Sequence, residues 1–183
     1  MICFAVKSNS NGILLKELKK LGSGADVVSI GELMKSLKAG IPRNKIVFSG
    51  IGKTEEELKF AINKKILLIN VESESELMLI NKISKKLGKR TDIGIRLNPN
   101  INVSTHKKIT TGKYSSKFGI SIDIFNKIIK KIDNFKNINL MAISVHIGSQ
   151  INNVKPFLEL ISILDKTIKK NNLKLKYVDF GGG

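Results

Sequence analysis

Residues 45–71 read KIVFSGIGKTEEELKFAINKKILLINV, with an apolar run at each end and a mixed stretch between them. The two apolar runs have the length of buried strands, and segment 54–63 has apolar residues at helical spacing. Thr54 and Glu57 form a capping box, and the acidic residues of this first turn lie at the positive end of the helix dipole. The stretch therefore predicts a strand, a helix and a second strand in succession.

The same alternation extends along the whole chain. Seven strands are predicted, over residues 2–6, 25–29, 45–49, 67–71, 93–97, 140–146 and 175–180. Six helices are predicted between them, over residues 13–21, 31–39, 54–63, 75–87, 122–132 and 156–169. Regular strand–helix alternation predicts an α/β fold with a parallel sheet. Seven units without a chain reversal favour a truncated (β/α)8 TIM-type barrel, with about seven of its eight strand–helix units. A doubly wound open sheet is the alternative, although no Gly-x-Gly-x-x-Gly motif follows a strand.

The net charge is the most unusual bulk property of the chain. The sequence has 32 basic and 15 acidic residues, a formal charge of +17, which raises nucleic acid or an anionic membrane as partners. However, 29 of the basic residues are lysines spread along the chain in short doublets, and there is no tryptophan. Groove readers favour arginine, which is scarce here. We therefore expect solvated lysine surfaces and no nucleic-acid partner.

Chain length, apolar content and the counts of cysteine and histidine predict the cellular compartment and whether a metal site is present. With 183 residues, 42% of them apolar, the chain can fill the core of one sizeable domain. Cys3 is the one cysteine and cannot form an intramolecular disulfide, which is typical of a reducing compartment. No apolar run reaches the roughly 18 residues of a membrane span, and the start lacks the zones of a signal peptide. We therefore expect a cytoplasmic protein without a membrane partner. The cysteine and two histidines lack metal-ligand spacing, so no metal site is predicted.

Polar residues collect at or just beyond the carboxyl ends of the predicted strands. These residues are Lys7, Ser29, Ser49, Glu72, Arg96, Asn98, His146 and Ser149. In a parallel barrel these strand ends meet at one face, where active sites are built. The irregular stretch of residues 99–119 is long for a connector, so we expect a binding loop there.

Lys7 and the last three residues point to a particular chemistry. Lys7 follows the apolar run Phe4–Val6, where a lysine can form an imine with a carbonyl group; the alternative is one more surface lysine. Gly181–Gly183 follow the last predicted strand, where backbone N–H groups can surround a phosphate; the alternative is a flexible turn. His146 could stack on a cofactor ring or transfer a proton, or it could be a core histidine. A lysine and a phosphate cradle together are typical of pyridoxal phosphate binding.

An ordered set of short segments resembles one known family over essentially the whole chain. The segments are residues 4–11, 22–29, 31–33, 46–50, 52–54, 70–73, 96–99, 105–106, 111–112, 117–119, 146–150 and 179–183. They are similar to the pyridoxal-phosphate-dependent decarboxylases of the alanine-racemase-like barrel fold, also called group IV decarboxylases. Within this family, the set is most similar to the members that act on meso-diaminopimelate.

The resemblance implies a cofactor, a reaction and a set of site residues. Lys7 would hold pyridoxal 5′-phosphate covalently, and His146 would stack on the pyridine face, which makes both catalytic. Further cofactor contacts are implied for Asp26, Arg96, Ser149, Gly181, Gly182 and Gly183. The implied reaction is the decarboxylation of meso-diaminopimelate to L-lysine and carbon dioxide. The alternatives are an ornithine, arginine or carboxynorspermidine decarboxylase of the same family, and a non-catalytic pyridoxal-phosphate-binding barrel.

The sequence also departs from the family pattern. Phe4 stands where the family usually has tyrosine, and Ser8 stands where it has alanine. The eighth strand, the acidic partner of the pyridine nitrogen and the C-terminal β-domain are not found within residues 1–183. That β-domain supplies a cysteine and a tyrosine across a dimer interface in the family. We therefore interpret residues 1–183 as part of the pyridoxal-phosphate-binding barrel domain of a homodimeric enzyme, and expect this chain alone to be inactive.

Overall fold

A computed structural model of the chain describes residues 1–101 and 118–182. The strands within these residues are β1 Cys3–Ala5, β2 Gly24–Val27, β3 Ile46–Phe48, β4 Leu68–Val71, β5 Thr91–Asn98, β6 Ile120–Ser121, β7 Ile138–Val145 and β8 Tyr177–Asp179. The helices are α1 Gly12–Lys20, α2 Ile30–Lys38, α3 Glu55–Lys64, α4 Glu74–Lys86, α5 Ile122–Ile129 and α6 Lys155–Lys170. The strands follow the order β1-β2-β3-β4-β5-β7-β8 in the sheet, with β6 beside β5.

The chain divides into two compact units. Unit 1 comprises Met1–Asn70, Glu76–Ile93 and Lys136–Asn139. Unit 2 comprises Val71–Ser75, Gly94–Phe135 and Leu140–Gly183.

Unit 1 is built on the parallel strands β1 to β4. Ala5 lies opposite Asp26 in the register of β1 and β2, and Phe48 lies opposite Ile69 in that of β3 and β4. Fully buried side chains from the strands and from helices α1 to α4 form the core, and these include Leu15, Val27, Leu33, Phe48, Leu58, Leu77 and Ile80. The parallel register therefore brings the carboxyl ends of β1 and β2 side by side.

Unit 2 contains two parallel strand pairs and helices α5 and α6. Leu97 of β5 lies opposite Ile120 of β6, and Ser144 of β7 lies opposite Asp179 of β8. Its core is formed by apolar side chains of strands and helices, among them Leu97, Phe125, Ile128, Val145, Leu160 and Leu164. The carboxyl ends of β7 and β8 are adjacent because the two strands run parallel.

The predicted helices and strands are all present, but several ends differ from the prediction. The first strand ends at Ala5, because residues Val6–Ser8 form a short 3-10 helix that includes Lys7. Helix α5 ends at Ile129 instead of residue 132, and residues Ile132–Asn134 form a separate 3-10 helix. Strand β6 was not predicted, because two residues directly before a helix carry no readable period.

The described residues contain no candidate membrane helix and no candidate metal cluster. No helix in residues 1–101 or 118–182 is long and apolar enough to cross a membrane. Within the same residues there is no group of three or more histidine, cysteine, aspartate or glutamate side chains that could hold a metal ion.

Candidate active site

Lys7 has a fixed backbone and an accessible side chain. It lies in the middle of the 3-10 helix that follows β1, where Val6 is fully buried and Lys7 is exposed. The Ser8 hydroxyl donates to the carbonyl of Ala5 at 2.7 Å, and the N–H of Asn9 donates to the carbonyl of Val6 at 3.1 Å. These hydrogen bonds fix the backbone on both sides of Lys7, and the Lys7 side chain is exposed.

Asp26 lies in the strand next to the one that leads to Lys7. It is opposite Ala5 in the register of β1 and β2, and it is half-buried. Its neighbours Ala25 and Val27 are fully buried, and successive side chains of a strand point to opposite faces. The carboxylate of Asp26 therefore points to the other face of the strand. Within unit 1, the fold brings Lys7 and Asp26 to the same end of two adjacent strands.

Glu57 joins the beginnings of two helices in unit 1. Its carboxylate accepts hydrogen bonds from the N–H of Thr54, in the predicted capping box, and from the N–H of Ile30, at the start of α2. Burial raises the pKa of the Glu57 carboxyl, but the backbone hydrogen bonds of Thr54 and Ile30 outweigh burial and hold this pKa below its ordinary value. The negative charge of Glu57 thus stabilises α2 and α3 together.

Lys53 is a buried lysine whose position the sequence pattern did not indicate. Its side chain is 1% exposed, and its ammonium donates to the carbonyl of Gly50 at 2.6 Å, the carbonyl of Asn70 at 2.7 Å and Oε1 of Glu76 at 2.7 Å. The three acceptors match the three donors of an ammonium group. Lys53 therefore connects the segment after β3 to β4 and α4, and has a structural role in unit 1.

Arg96 is held by an acidic residue that follows β4. Its Nη1 donates to Oε1 of Glu72 at 2.8 Å, and Oε2 of Glu72 accepts the N–H of Gly119 at 3.0 Å. The guanidinium also lies 4.9 Å from the centroid of the Phe118 ring. Arg96 thus has a defined position in unit 2. The sequence placed Glu72 at a strand end but gave no sign of these pairings.

His146 and Gly181 are in close contact at the carboxyl ends of β7 and β8. Gly181 has a φ of +68°, and a Cβ on it would lie 2.7 Å from Nδ1 of His146. Asp179 shapes this turn, because its Oδ1 accepts the N–H of Gly181 at 2.8 Å while its Oδ2 accepts the hydroxyl of Ser144 at 3.1 Å. Only a glycine fits here, so the turn after β8 lies directly against the imidazole.

The other predicted phosphate ligands are Ser149, Gly182 and Gly183. Ser149 is half-buried, three residues beyond His146 in the segment after β7. Gly182 is exposed, and a Cβ on it would meet nothing within 4 Å. Gly183 lies outside the described residues, as do the predicted segments 105–106 and 111–112 and most of the predicted binding loop.

The residues present fit a phosphorylated pyridoxal group. The amine of Lys7 follows β1 on a hydrogen-bonded turn, the imidazole of His146 follows β7, and a glycine turn follows β8. The N–H of Gly181 donates to Oδ1 of Asp179 at 2.8 Å, and Gly181 also provides the close approach to His146. A phosphate-binding role of this glycine turn stays a prediction.

One cavity of unit 1 is lined by residues other than Lys7 and Asp26. A cavity of about 380 Å³ in unit 1 is lined by side chains that include Ile62, Ile66, Lys89, Arg90 and Asp92. Lys7 and Asp26 do not line it. We therefore assign the candidate site from the strand ends and not from this cavity.

The fold and these residues define the chain as a pyridoxal-binding domain. Over residues 1–183 it belongs to the family described as pyridoxal-dependent decarboxylase, pyridoxal binding domain. This membership confirms the family resemblance and the pyridoxal class of cofactor.

Curated proteins and solved structures agree with this family. The chain is 44% identical to a diaminopimelate decarboxylase of Aquifex aeolicus, and 42% identical to one of Vibrio cholerae. All of the chain is covered in both alignments, but only 44% and 45% of those relatives. A crystal structure of diaminopimelate decarboxylase from Helicobacter pylori complexed with L-lysine matches all of the chain and 47% of its own, with a TM-score of 0.94 and 39% identity. The chain therefore spans less than half the length of these relatives.

The structural matches confirm the predicted fold class. The chain has the fold of a TIM-type barrel domain in truncated form, as in the Helicobacter pylori structure. An arginine decarboxylase of Paramecium bursaria Chlorella virus also matches, with a TM-score of 0.85 at 22% identity. That likeness shows the fold alone.

Proposed function

We propose that this chain is the cofactor-binding part of a diaminopimelate decarboxylase, which converts meso-diaminopimelate to L-lysine and carbon dioxide. The observation that carries the proposal is the accessible Lys7 on its fixed turn directly after β1. The proposed substrate is supported by relatives named diaminopimelate decarboxylase, which align over the whole chain at 42–44% identity.

Residues of unit 1 and residues of unit 2 are each given a proposed role toward pyridoxal phosphate. In unit 1, Lys7 would hold pyridoxal 5′-phosphate through its ε-amine, and Asp26, on the neighbouring strand, would contact the cofactor.

In unit 2, roles toward the cofactor are proposed for His146, Arg96, Ser149 and the glycine turn. His146 would stack on the pyridine ring, and Gly181 lies against its imidazole. Arg96 would bring a positive charge to the ring, while Ser149 and the backbone of Gly181, Gly182 and Gly183 would bind the phosphate. When bound, pyridoxal phosphate supplies an electron sink for the electron pair left by departing carbon dioxide.

The proposal extends to the full-length protein. We infer that it is a cytoplasmic homodimer, and that residues outside this chain supply the acidic partner of the pyridine nitrogen and the groups that act across the dimer. The basic residues, 29 lysines and three arginines, form solvated surfaces and do not bind nucleic acid.

A substrate comparison tests the proposed reaction. The purified full-length protein, saturated with pyridoxal phosphate, is given meso-diaminopimelate, L-ornithine or L-arginine in parallel, and released carbon dioxide is measured. We expect release from meso-diaminopimelate and at least about 100-fold less from the other two, since a site built for a polar group rejects analogues that lack it. Turnover of ornithine or arginine alone would assign the alternative reaction within the family. Cofactor binding without turnover of any of the three would favour a non-catalytic role.

A further inference from the structure

Glu72 is an almost fully buried carboxylate with both oxygens engaged. Its side chain is 4% exposed, and it follows β4 directly. Oε1 accepts Nη1 of Arg96 at 2.8 Å, and Oε2 accepts the N–H of Gly119 at 3.0 Å. A buried carboxylate is stable only when it is paired and hydrogen-bonded, and both conditions are met here.

The two groups that Glu72 binds are themselves connected. Arg96 packs its guanidinium 4.9 Å from the ring centroid of Phe118, which is the residue before Gly119. A guanidinium that is paired on one edge and stacked on its face loses most of its freedom of orientation. Glu72 therefore holds the guanidinium of Arg96 and also the backbone of Gly119. Gly119 directly follows Phe118, the residue on whose ring Arg96 stacks.

Gly119 is suited to this close approach. Its φ is +76°, and a Cβ on it would lie 3.0 Å from the carbonyl oxygen of Arg96. A side chain at this position would push the chain away from β5 and remove the N–H from Glu72. The interactions of Glu72 thus require an arginine at position 96 and a glycine at position 119.

From this geometry we propose that Glu72 is a positioning residue, which fixes the orientation of the Arg96 guanidinium for the pyridoxal cofactor. The assignment rests on the proposed function, because it gives Arg96 a task at the cofactor. Without the carboxylate, Arg96 is a largely buried cation that has lost its partner, and its guanidinium turns toward other acceptors or solvent. Glu72 then affects the cofactor through Arg96 and not by contact.

A double-mutant cycle on cofactor affinity tests this assignment. The full-length protein is prepared with Glu72→Gln, with Arg96→Gln and with both, and pyridoxal phosphate is titrated by absorbance. We expect each single change to weaken binding by about tenfold, the scale typical of supporting residues. We expect the double variant to be no weaker than Arg96→Gln alone, since Glu72 has no effect once Arg96 is gone. The control is Glu74→Gln, a nearby half-buried carboxylate with no ion pair among the described residues, which leaves affinity unchanged.

Thermal unfolding of the cofactor-free proteins separates positioning from stability. Glu72→Gln keeps the shape of the side chain; if it does not fold, Glu72→Asp replaces it, with a smaller loss and the same lack of additivity with Arg96→Gln. Losses that add in the double variant would contradict the assignment. So would a variant with a lower unfolding temperature and unchanged cofactor affinity. Failure of the wild-type protein to bind pyridoxal phosphate would instead refute the proposed function, and the role of Glu72 with it.

Discussion

The ammonium of Lys53 lies 2.7 Å from Oε1 of Glu76, in an ion pair whose side chains are 1% and 11% exposed. Pairs of this kind differ from those at the surface of the same unit. Lys59 and Glu55 lie 2.8 Å apart, but their side chains are 46% and 45% exposed. Solvent screens the second pair, whereas burial makes the first depend on its partners.

Replacement of Lys53 by methionine is therefore expected to lower the free energy of unfolding by about 3 kcal/mol, because it removes the ammonium that pairs with the largely buried Glu76 carboxylate. The matched control, Lys59→Met, is expected to change it by less than about 1 kcal/mol. Urea denaturation of the full-length protein measures both. Adding Glu76→Leu to Lys53→Met should recover part of the loss. Equal effects of the two lysine substitutions would show that burial of Lys53 does not matter for stability.

The pKa of Glu57, held below its ordinary value by backbone hydrogen bonds, predicts a pH-dependent contribution to stability. A carboxyl group with a lowered pKa in the folded state stabilises the fold above its unfolded pKa, and this contribution is lost as pH falls through the folded value. Glu57→Gln is expected to lower the free energy of unfolding by about 1 kcal/mol at neutral pH, as for a lost cap. The difference from wild type should shrink as the pH falls below 4.5, the ordinary value for this group.

The control for this pH dependence is Glu56→Gln, at the neighbouring exposed position of the same first turn. It removes the same charge near the same helix terminus without removing the hydrogen bonds to Thr54 and Ile30. Urea denaturation at several pH values measures both variants. A difference between Glu57→Gln and wild type that stays constant from pH 7 to about pH 3 would contradict the linkage argument.

The contact between Gly181 and His146 predicts an asymmetry between two adjacent glycines. Gly181→Ala places a methyl group 2.7 Å from Nδ1 of His146 at a φ of +68°, so the turn or the imidazole must move. Gly182→Ala adds a methyl group that meets nothing within 4 Å. We expect Gly181→Ala to weaken pyridoxal phosphate binding by at least about tenfold, equivalent to roughly 1.4 kcal/mol, and Gly182→Ala to weaken it less.

Titration of the full-length variants with pyridoxal phosphate measures this asymmetry. Gly12→Ala serves as a control outside the site, since a Cβ there also meets nothing within 4 Å and α1 tolerates alanine well. Equal losses for Gly181→Ala and Gly182→Ala would mean that the imidazole is not held by the turn.

The alternation of strands and helices could be predicted because each element has a local signal. Buried runs such as Ile46–Phe48 are apolar throughout, and the capping box of Thr54 and Glu57 marks the start of α3. The end of β1 at Ala5 could not be predicted, because it depends on the hydroxyl of Ser8 bonding back to the Ala5 carbonyl. An apolar Val6 reads as strand whether or not that bond forms.

Hydrogen bonds and ion pairs between residues far apart in the sequence could not be predicted, for a different reason. Glu72, Arg96 and Gly119 are 24 and 47 positions apart, as counted from Glu72, and only the folded chain brings them together. Lys53 is one of 29 lysines, and composition favours the surface for each of them. Lys53 is buried because its ammonium donates to acceptors of Gly50, Asn70 and Glu76. No local sequence pattern predicts that these three acceptors lie close together.

The attachment site of the cofactor tests the central claim most directly. The full-length protein is loaded with pyridoxal phosphate, reduced with borohydride, digested and mapped by mass spectrometry. We expect the cofactor mass on the peptide that contains Lys7, its loss in Lys7→Ala, and its retention in Lys16→Ala, a change at another exposed lysine. Cofactor attached to a different lysine of the wild-type protein, or retained attachment in Lys7→Ala, would contradict the account.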